Sequence, residues 1–192
     1  HAAPIVRIVR TVTGIAGVAC SVMIYDFTQR PFWNGADTAA KFFGSAALLG
    51  LSTAVTTGLL AAAWSIELEQ DSPLLQQCPL FCRHLFILTH AKLTAEARVL
   101  WHLRERSQTA QRRSARLLVG ALRPIVLLRL ALAGVGGVLL PCMVLGGDQL
   151  GTPSWMMLGV AAGSSLCLLA GELAERYLFF SAVVANRMLL LA

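Results

Sequence analysis

The chain has 192 residues, is 56% hydrophobic and only 14% charged, and has a mean hydropathy of +0.67, whereas a typical soluble domain carries about 25% charged residues. No soluble core of this length needs so much apolar surface, so the composition excludes a soluble domain and predicts an integral membrane protein. The formal net charge is +6, but the basic residues bracket or interrupt apolar runs and form no stripe beside stacking aromatic residues. We therefore exclude nucleic acid as a partner and expect the basic residues to contact membrane lipid.

Five apolar segments follow one another along the chain, and they predict an all-α, polytopic bundle of about five transmembrane helices. All five belong to one integral membrane domain over residues 1–192, with helices at about 5–25, 42–64, 79–103, 117–145 and 155–180. The second segment contains no charged side chain, and a helix of that length spans the roughly 30 Å hydrocarbon core of a bilayer. Its small residues recur every four positions and predict a close packing face: Ala46, Gly50, Ala54 and Gly58.

The loop from Tyr25 to Lys41, between the first two helices, is rich in aromatic and polar residues, including Arg30 and Trp33. Aromatic residues are enriched where a membrane protein crosses the headgroup region, so the loop predicts an anchoring belt. The alternative is one wall of a quinone pocket, because a quinone ring needs an apolar slot and a polar group at each oxygen. The polar candidates for that pocket are Tyr25, Asp26, Arg30 and Lys41.

The third segment is apolar on balance but carries several ionisable residues. Lys92 and Glu96 are four residues apart, so they share a helical face and are expected to neutralise each other when buried. Ionisable groups within a spanning helix mark a functional site by default. The alternative is a partly interfacial amphipathic helix with these groups in water.

Histidine and cysteine spacings argue against a metal centre in this chain. His84 and His90 are six residues apart, and His90 and His102 are twelve apart, so neither pair faces one haem iron from a single helix. Cys78 and Cys82 do not have a zinc or iron–sulfur spacing. We therefore expect no haem, no iron–sulfur cluster and no other metal site here.

The segment from Arg98 to Arg123 contains seven arginines and one acid, Glu105. The positive-inside rule places such a segment in the cytoplasm, although Arg7 and Arg10 fall on the opposite side if all five segments span the membrane. The segment is equally suited to docking an acidic partner or anionic lipid.

Charged residues also interrupt the last two apolar segments. Arg129 lies within the fourth, and Glu172 and Arg176 lie four residues apart in the fifth, where they can pair. With Lys92 and Glu96 they are the candidates for buried ionisable groups or a proton path.

Two stretches of the sequence resemble one known family. The first reads Y…RPFW…T..KFF from Tyr25 to Phe43, and the second reads LLAGELAER.LFF up to Phe180. In this order and at this distance they resemble the membrane anchor subunit of dimethyl sulfoxide reductase and its relatives, including sulfite dehydrogenase-type membrane subunits. The resemblance covers essentially the whole chain, which is similar to the last five of the family's eight helices.

The resemblance implies a non-catalytic subunit of a heterotrimeric oxidoreductase in the bacterial inner membrane. Such an anchor exchanges electrons with menaquinone or ubiquinone and binds no redox metal; its partners are an iron–sulfur subunit and a molybdopterin catalytic subunit. The family's quinol-linked histidine lies in its first three helices, so no histidine here inherits that role. The loop after the first helix lies on the same membrane face as that histidine, which ranks Tyr25, Arg30 and Trp33 above Glu172 as quinone-site residues.

Two other classes of function remain open from the sequence. One is half of a membrane transporter or channel, with Lys92, Glu96, Arg129 and Glu172 lining the path. The other is a purely structural anchor without a quinone site in these residues.

Overall fold

A computed structural model describes residues 2–28, 35–64, 73–104, 109–147 and 154–182. All regular secondary structure in these ranges is helical, which confirms the all-α prediction. The elements are α1 (Ala2–Asp26), α2 (Gly35–Trp64), α3 (Pro73–Ala97), a 3₁₀-helix (Arg98–Arg104), α4 (Ala110–Val119), α5 (Arg123–Gly134), a π-helix (Val135–Leu139), α6 (Leu140–Gly147) and α7 (Ser154–Ser181).

Four helical stretches are long and apolar enough to cross a membrane: Pro4–Asp26, Gly35–Ala61, Arg123–Gly146 and Trp155–Ser181. Helix α3 is also 25 residues long, but it is not apolar enough to belong to this class, because glutamine, histidine and charged residues lower its hydropathy. Large apolar side chains cover the outer surface of the bundle, which suits a hydrocarbon solvent and not water. The chain is therefore a multi-pass membrane bundle.

Helices α2 and α7 of the bundle run antiparallel. Near the start of α2, Ser45 lies against Glu175 near the end of α7, whereas Thr56 near the end of α2 bonds Ala161 near the start of α7. Helices α2, α3, α5–α6 and α7 surround the core, and α1 packs on α2 at the periphery. We call the side on which α1, α3 and α7 end, and α2 and α5 begin, the arginine face, because the arginine-rich 3₁₀-helix and α4 lie there.

Two apolar clusters fill the bundle between its middle and the opposite face. The first joins Leu48, Leu85 and Leu168 from three helices. The second lies farther from the arginine face and includes the two cysteines of α3; its members are Val55, Leu59, Cys78, Cys82, Val144 and Ala161. Both cysteines thus pack as small hydrophobic residues.

The packing face predicted for α2 is only partly correct, because Gly58 is buried and Ala54 half-buried but the other two positions are not. Ala46 and Gly50 are exposed, and a Cβ atom added at Gly50 would meet nothing within 4 Å. A small residue permits close approach but contributes little area, so the larger and hydrogen-bonding side chains of the adjacent face are buried instead. That face consists of Thr38, Ser45, Leu48, Ser52, Val55 and Leu59.

Helix boundaries also differ from the sequence prediction. Helix α2 begins at Gly35 and not at Phe42, because Asp37 complements the helix N-terminus and the neighbouring alanines favour helix. Helix α3 begins at Pro73, contains Pro79 and ends at Ala97, where the 3₁₀-helix follows. The helix predicted at 117–145 is divided after α4, because Gly120 caps α4 and a proline opens α5.

The π-helix from Val135 to Leu139 packs closely against α7 and α3. Ser164 of α7 donates a hydrogen bond to the Gly136 carbonyl. A Cβ atom at Gly136 would lie 3.0 Å from the Leu168 backbone nitrogen, and one at Gly137 would overlap the Thr89 side chain. Glycine is therefore required sterically at both positions.

Candidate functional site: a buried ion network

Lys92 of α3 is the centre of a charged network inside the arginine-face half of the bundle. Its Nζ donates hydrogen bonds to Glu175 Oε2 at 2.8 Å and to Ser45 Oγ at 2.9 Å. It also donates to Glu172 Oε2. One ammonium group thus joins α2, α3 and α7.

Arg129 extends the network to α5. Its Nη2 donates to Glu172 Oε1 and to Glu96 Oε1, each at 3.0 Å. Glu172 therefore accepts from two cations through its two oxygens, while Glu96 links Arg129 back to α3. The ionic contacts connect three of the helices that surround the core.

Burial makes these pairs interdependent. Relative exposure is 5% for Lys92, 2% for Arg129 and 4% for both Glu172 and Glu175. An uncompensated charge at such a depth is strongly unfavourable, so each ion depends on its partners. Two cations face three carboxylates at the centre, and Arg176 and Lys41 add positive charge at the edge.

Two glycines make room for the long cationic side chains. A Cβ atom at Gly171 would lie 3.1 Å from Arg129 Nη1, and one at Gly44 would lie 3.3 Å from Lys92 Cδ. Both distances are tighter than ordinary van der Waals contact, so the absence of a side chain lets the cations lie flat against neighbouring helices.

An aromatic cluster adjoins the network toward the arginine face. The Tyr25 ring lies 5.4 Å from the rings of both Phe42 and Phe179 and 5.8 Å from Phe180, measured between centroids. The guanidinium carbon of Arg176 lies 3.6 Å from the Phe42 centroid, a cation–π contact. Nη2 of Arg176 also donates to Ser45 Oγ at 3.2 Å, so this residue joins the aromatic cluster to the network.

The structure brings together most of the residues predicted as a site. Lys92, Glu96, Arg129 and Glu172 form the network, and Arg176 and Tyr25 adjoin it. The predicted quinone-site residues Arg30 and Trp33 lie outside the described residues.

The predicted pairings within these helices are only partly correct. Lys92 Nζ lies 3.9 Å from Glu96 Oε1, a longer distance than to its partners on other helices. Glu172 does not pair with Arg176; its two oxygens bond Lys92 of α3 and Arg129 of α5. Lys92 points into the bundle, whereas Arg83, His84 and His90 of the same helix are exposed.

Two residues of the network, Glu175 and Ser45, were not predicted as site residues from the sequence. Glu175 follows Glu172 by three residues and so lies on the same helical face, which is a usable signal. Ser45 offered no signal beyond its place on α2, because serine in a membrane helix commonly bonds its own preceding turn. It does so here as well, donating to the Lys41 carbonyl at 2.7 Å.

The histidines of α3 lie elsewhere. His84 and His90 are exposed on the outer surface, and their Nδ1 atoms hydrogen-bond the Leu80 and Phe86 carbonyls of the preceding turn. Over the parts of the chain that the structure describes, no three histidine, cysteine or acidic side chains are grouped to hold a metal ion.

Comparison with protein-family models, curated proteins and solved structures gave no match to this chain. The assignment of function therefore rests on the site and on the sequence resemblance.

Proposed function

We propose that this chain is the quinone-interacting anchor of a heterotrimeric molybdopterin and iron–sulfur oxidoreductase in a bacterial inner membrane. The observation that carries the proposal is the contact between the Tyr25 aromatic cluster and the buried ion network through Arg176. A quinone site needs ring-binding surfaces beside groups that exchange protons, and these two clusters supply both within one continuous set of contacts.

The residues suit a quinone, which supplies two-electron, two-proton chemistry. The rings of Phe42, Phe179 and Phe180 offer apolar faces and edges for the quinone ring. The Tyr25 hydroxyl is a donor and acceptor for one quinone oxygen. Carboxylates of the network hold protons, while electrons pass singly to or from an iron–sulfur cluster of the partner subunit.

The purified complex tests this proposal through Tyr25. Tyr25→Phe removes only the hydroxyl, and Tyr25→Ala removes the ring; we expect quinol oxidation to fall about tenfold or more with the first and further with the second. Phe27→Ala is the matched control, because Phe27 is an exposed aromatic residue at the same helix end. Unchanged quinol kinetics in a normally assembled Tyr25→Ala complex would overturn the proposal and leave a purely structural anchor.

Transport is the second candidate function, and the meeting of Lys92, Glu96, Arg129 and Glu172 favours it. These side chains bond one another and fill the space between helices, whereas a substrate path needs an opening along them. We therefore rank transport below the anchor. Solute uptake by proteoliposomes of this chain alone, abolished by Glu172→Gln, would reverse the order.

A further inference from the structure

Three polar residues line the inner face of α2 between the ion network and the arginine face. Thr38, Lys41 and Ser45 are spaced by three and four residues, so they lie on one side of the helix. Thr38 is only 1% exposed, and it lies about 10 Å closer to the arginine face than Ser45, at about 1.5 Å of rise per residue. Polar side chains therefore continue from the network to the start of α2.

Several buried polar atoms along this line have no hydrogen-bond partner among the described residues. They are Thr38 Oγ1, Glu175 Oε1, Arg129 Nε and Nη1, and Arg176 Nη1. Buried donors and acceptors normally bond protein or ordered water. The unpartnered atoms lie in the network and on α2 toward the arginine face, where each offers a hydrogen-bonding position to an ordered water molecule.

In the opposite direction, apolar packing predominates among the described residues, with the hydroxyl side chains of Ser52 and Ser164 buried within it. Leu48, Leu85 and Leu168 lie directly beyond the network, and the cluster that contains Val55 and Cys82 lies beyond them. A cavity of about 10 Å³ between these layers, lined in part by Ser52 and Ser164, holds at most about one water molecule. It is too small for a continuous chain of waters.

We infer that Thr38, Lys41 and Ser45 form a one-sided proton path, through which the ion network exchanges protons only with the arginine face. The inference rests on the proposed function for its source of protons. Each quinol that is oxidised gives two electrons to the iron–sulfur subunit and two protons to this path. Glu175 is the first acceptor, because its Oε1 has no other partner, and water beside Thr38 completes the transfer.

Among the described residues, the charged groups around this path lie on α2, α3, α5 and α7, and Asp26 of α1 lies beside Gly35 at the start of α2. The cations are Lys41 of α2, Lys92 of α3, and Arg129 and Arg176 of α5 and α7. The carboxylates are Glu96, Glu172 and Glu175, and Asp37 lies at the start of α2. One proton that enters at Glu175 raises the net charge of this group by one.

Accessibility of introduced cysteines tests the path without any quinone. The five native cysteines are replaced by alanine, and Thr38→Cys is compared with Ser52→Cys, a matched buried hydroxyl position on the same face of α2. Sealed vesicles of both orientations are treated with a small, charged, membrane-impermeant methanethiosulfonate reagent. We expect the Thr38→Cys thiol to react at least tenfold faster from the arginine face than from the other, and the Ser52→Cys thiol to stay unreactive from both.

Equal labelling from both sides, or faster labelling of the Ser52→Cys thiol, would overturn the inference. Proton release can be measured in complexes that keep their native cysteines. There, Thr38→Val should slow proton release at the arginine face about tenfold, and Ser52→Ala should leave it unchanged. Proton release at the opposite face during normal quinol oxidation would contradict the proton path but not the proposed function. A complex that oxidises no quinol contradicts the proposed function, and the labelling pattern then still decides whether the path exists.

Discussion

Arg129 of α5 and Glu172 of α7 are joined by a 3.0 Å hydrogen bond between Nη2 and Oε1 inside a membrane bundle. Removing one member of a buried ion pair costs far more than the pair contributes, because the remaining charge is left without compensation. The network is therefore a point at which single substitutions have large effects on stability.

Arg129→Leu should lower the free energy of unfolding by about 3–5 kcal/mol, since it removes the cation that bonds Glu172 Oε1 and Glu96 Oε1, each at 3.0 Å. The measurement is unfolding of the purified protein in detergent. Arg83→Leu is the control, because Arg83 also lies on a bundle helix but is exposed. Equal stability of the two variants would contradict the described burial of Arg129.

Lys92 and Glu175 should be energetically coupled, because their charged atoms are 2.8 Å apart and both side chains are buried. Lys92→Met with Glu175→Gln should destabilise the protein by at least about 1 kcal/mol less than the sum of the single variants. A double-mutant cycle of unfolding free energies checks this. Additive effects would show that the two groups do not interact.

Gly136→Ala should destabilise the bundle by about 1–3 kcal/mol, because the new methyl group would meet the Leu168 backbone nitrogen and the Ser164 carbonyl oxygen, each at 3.0 Å. Gly134→Ala is the matched control, since a Cβ atom there meets nothing within 4 Å and alanine favours helix. Thermal unfolding of the two variants distinguishes them. A Gly136→Ala protein as stable as the control would mean that the π-helix does not pack as described.

Tryptophan fluorescence should report interfacial depths at both faces. Trp64 and Trp155 lie at the opposite face, Trp101 lies at the arginine face, and all three are exposed, as expected for interfacial anchors. Single-tryptophan variants in vesicles should be quenched more by a nitroxide near the headgroup than by one at the bilayer centre. Stronger quenching from the centre would contradict the placement of these helix ends.

The sequence predicted the membrane bundle and four of the five ions in the network, because charges inside apolar segments are conspicuous. It did not predict which ions pair, since partners on different helices depend on the relative rotation of those helices. The Lys92–Glu175 contact joins residues far apart in the chain, whereas helical spacing predicts contacts only between residues close together in the chain, such as Lys92 and Glu96.

The packing face of α2 shows the same limit. Its small residues and its hydroxyl-bearing residues both recur at helical spacing, so either set fitted a buried face from sequence alone. The choice depended on Lys92 and Glu175, which give Ser45 hydrogen-bond partners that no residue offers near Gly50. Tertiary contacts decided between two patterns of equal periodicity.

The most direct test of the anchor function is purification of the native complex in mild detergent, followed by identification of every component that accompanies this chain. The account predicts a molybdopterin subunit, an iron–sulfur subunit and bound quinone. Recovery of the chain without these partners and without quinone would contradict it.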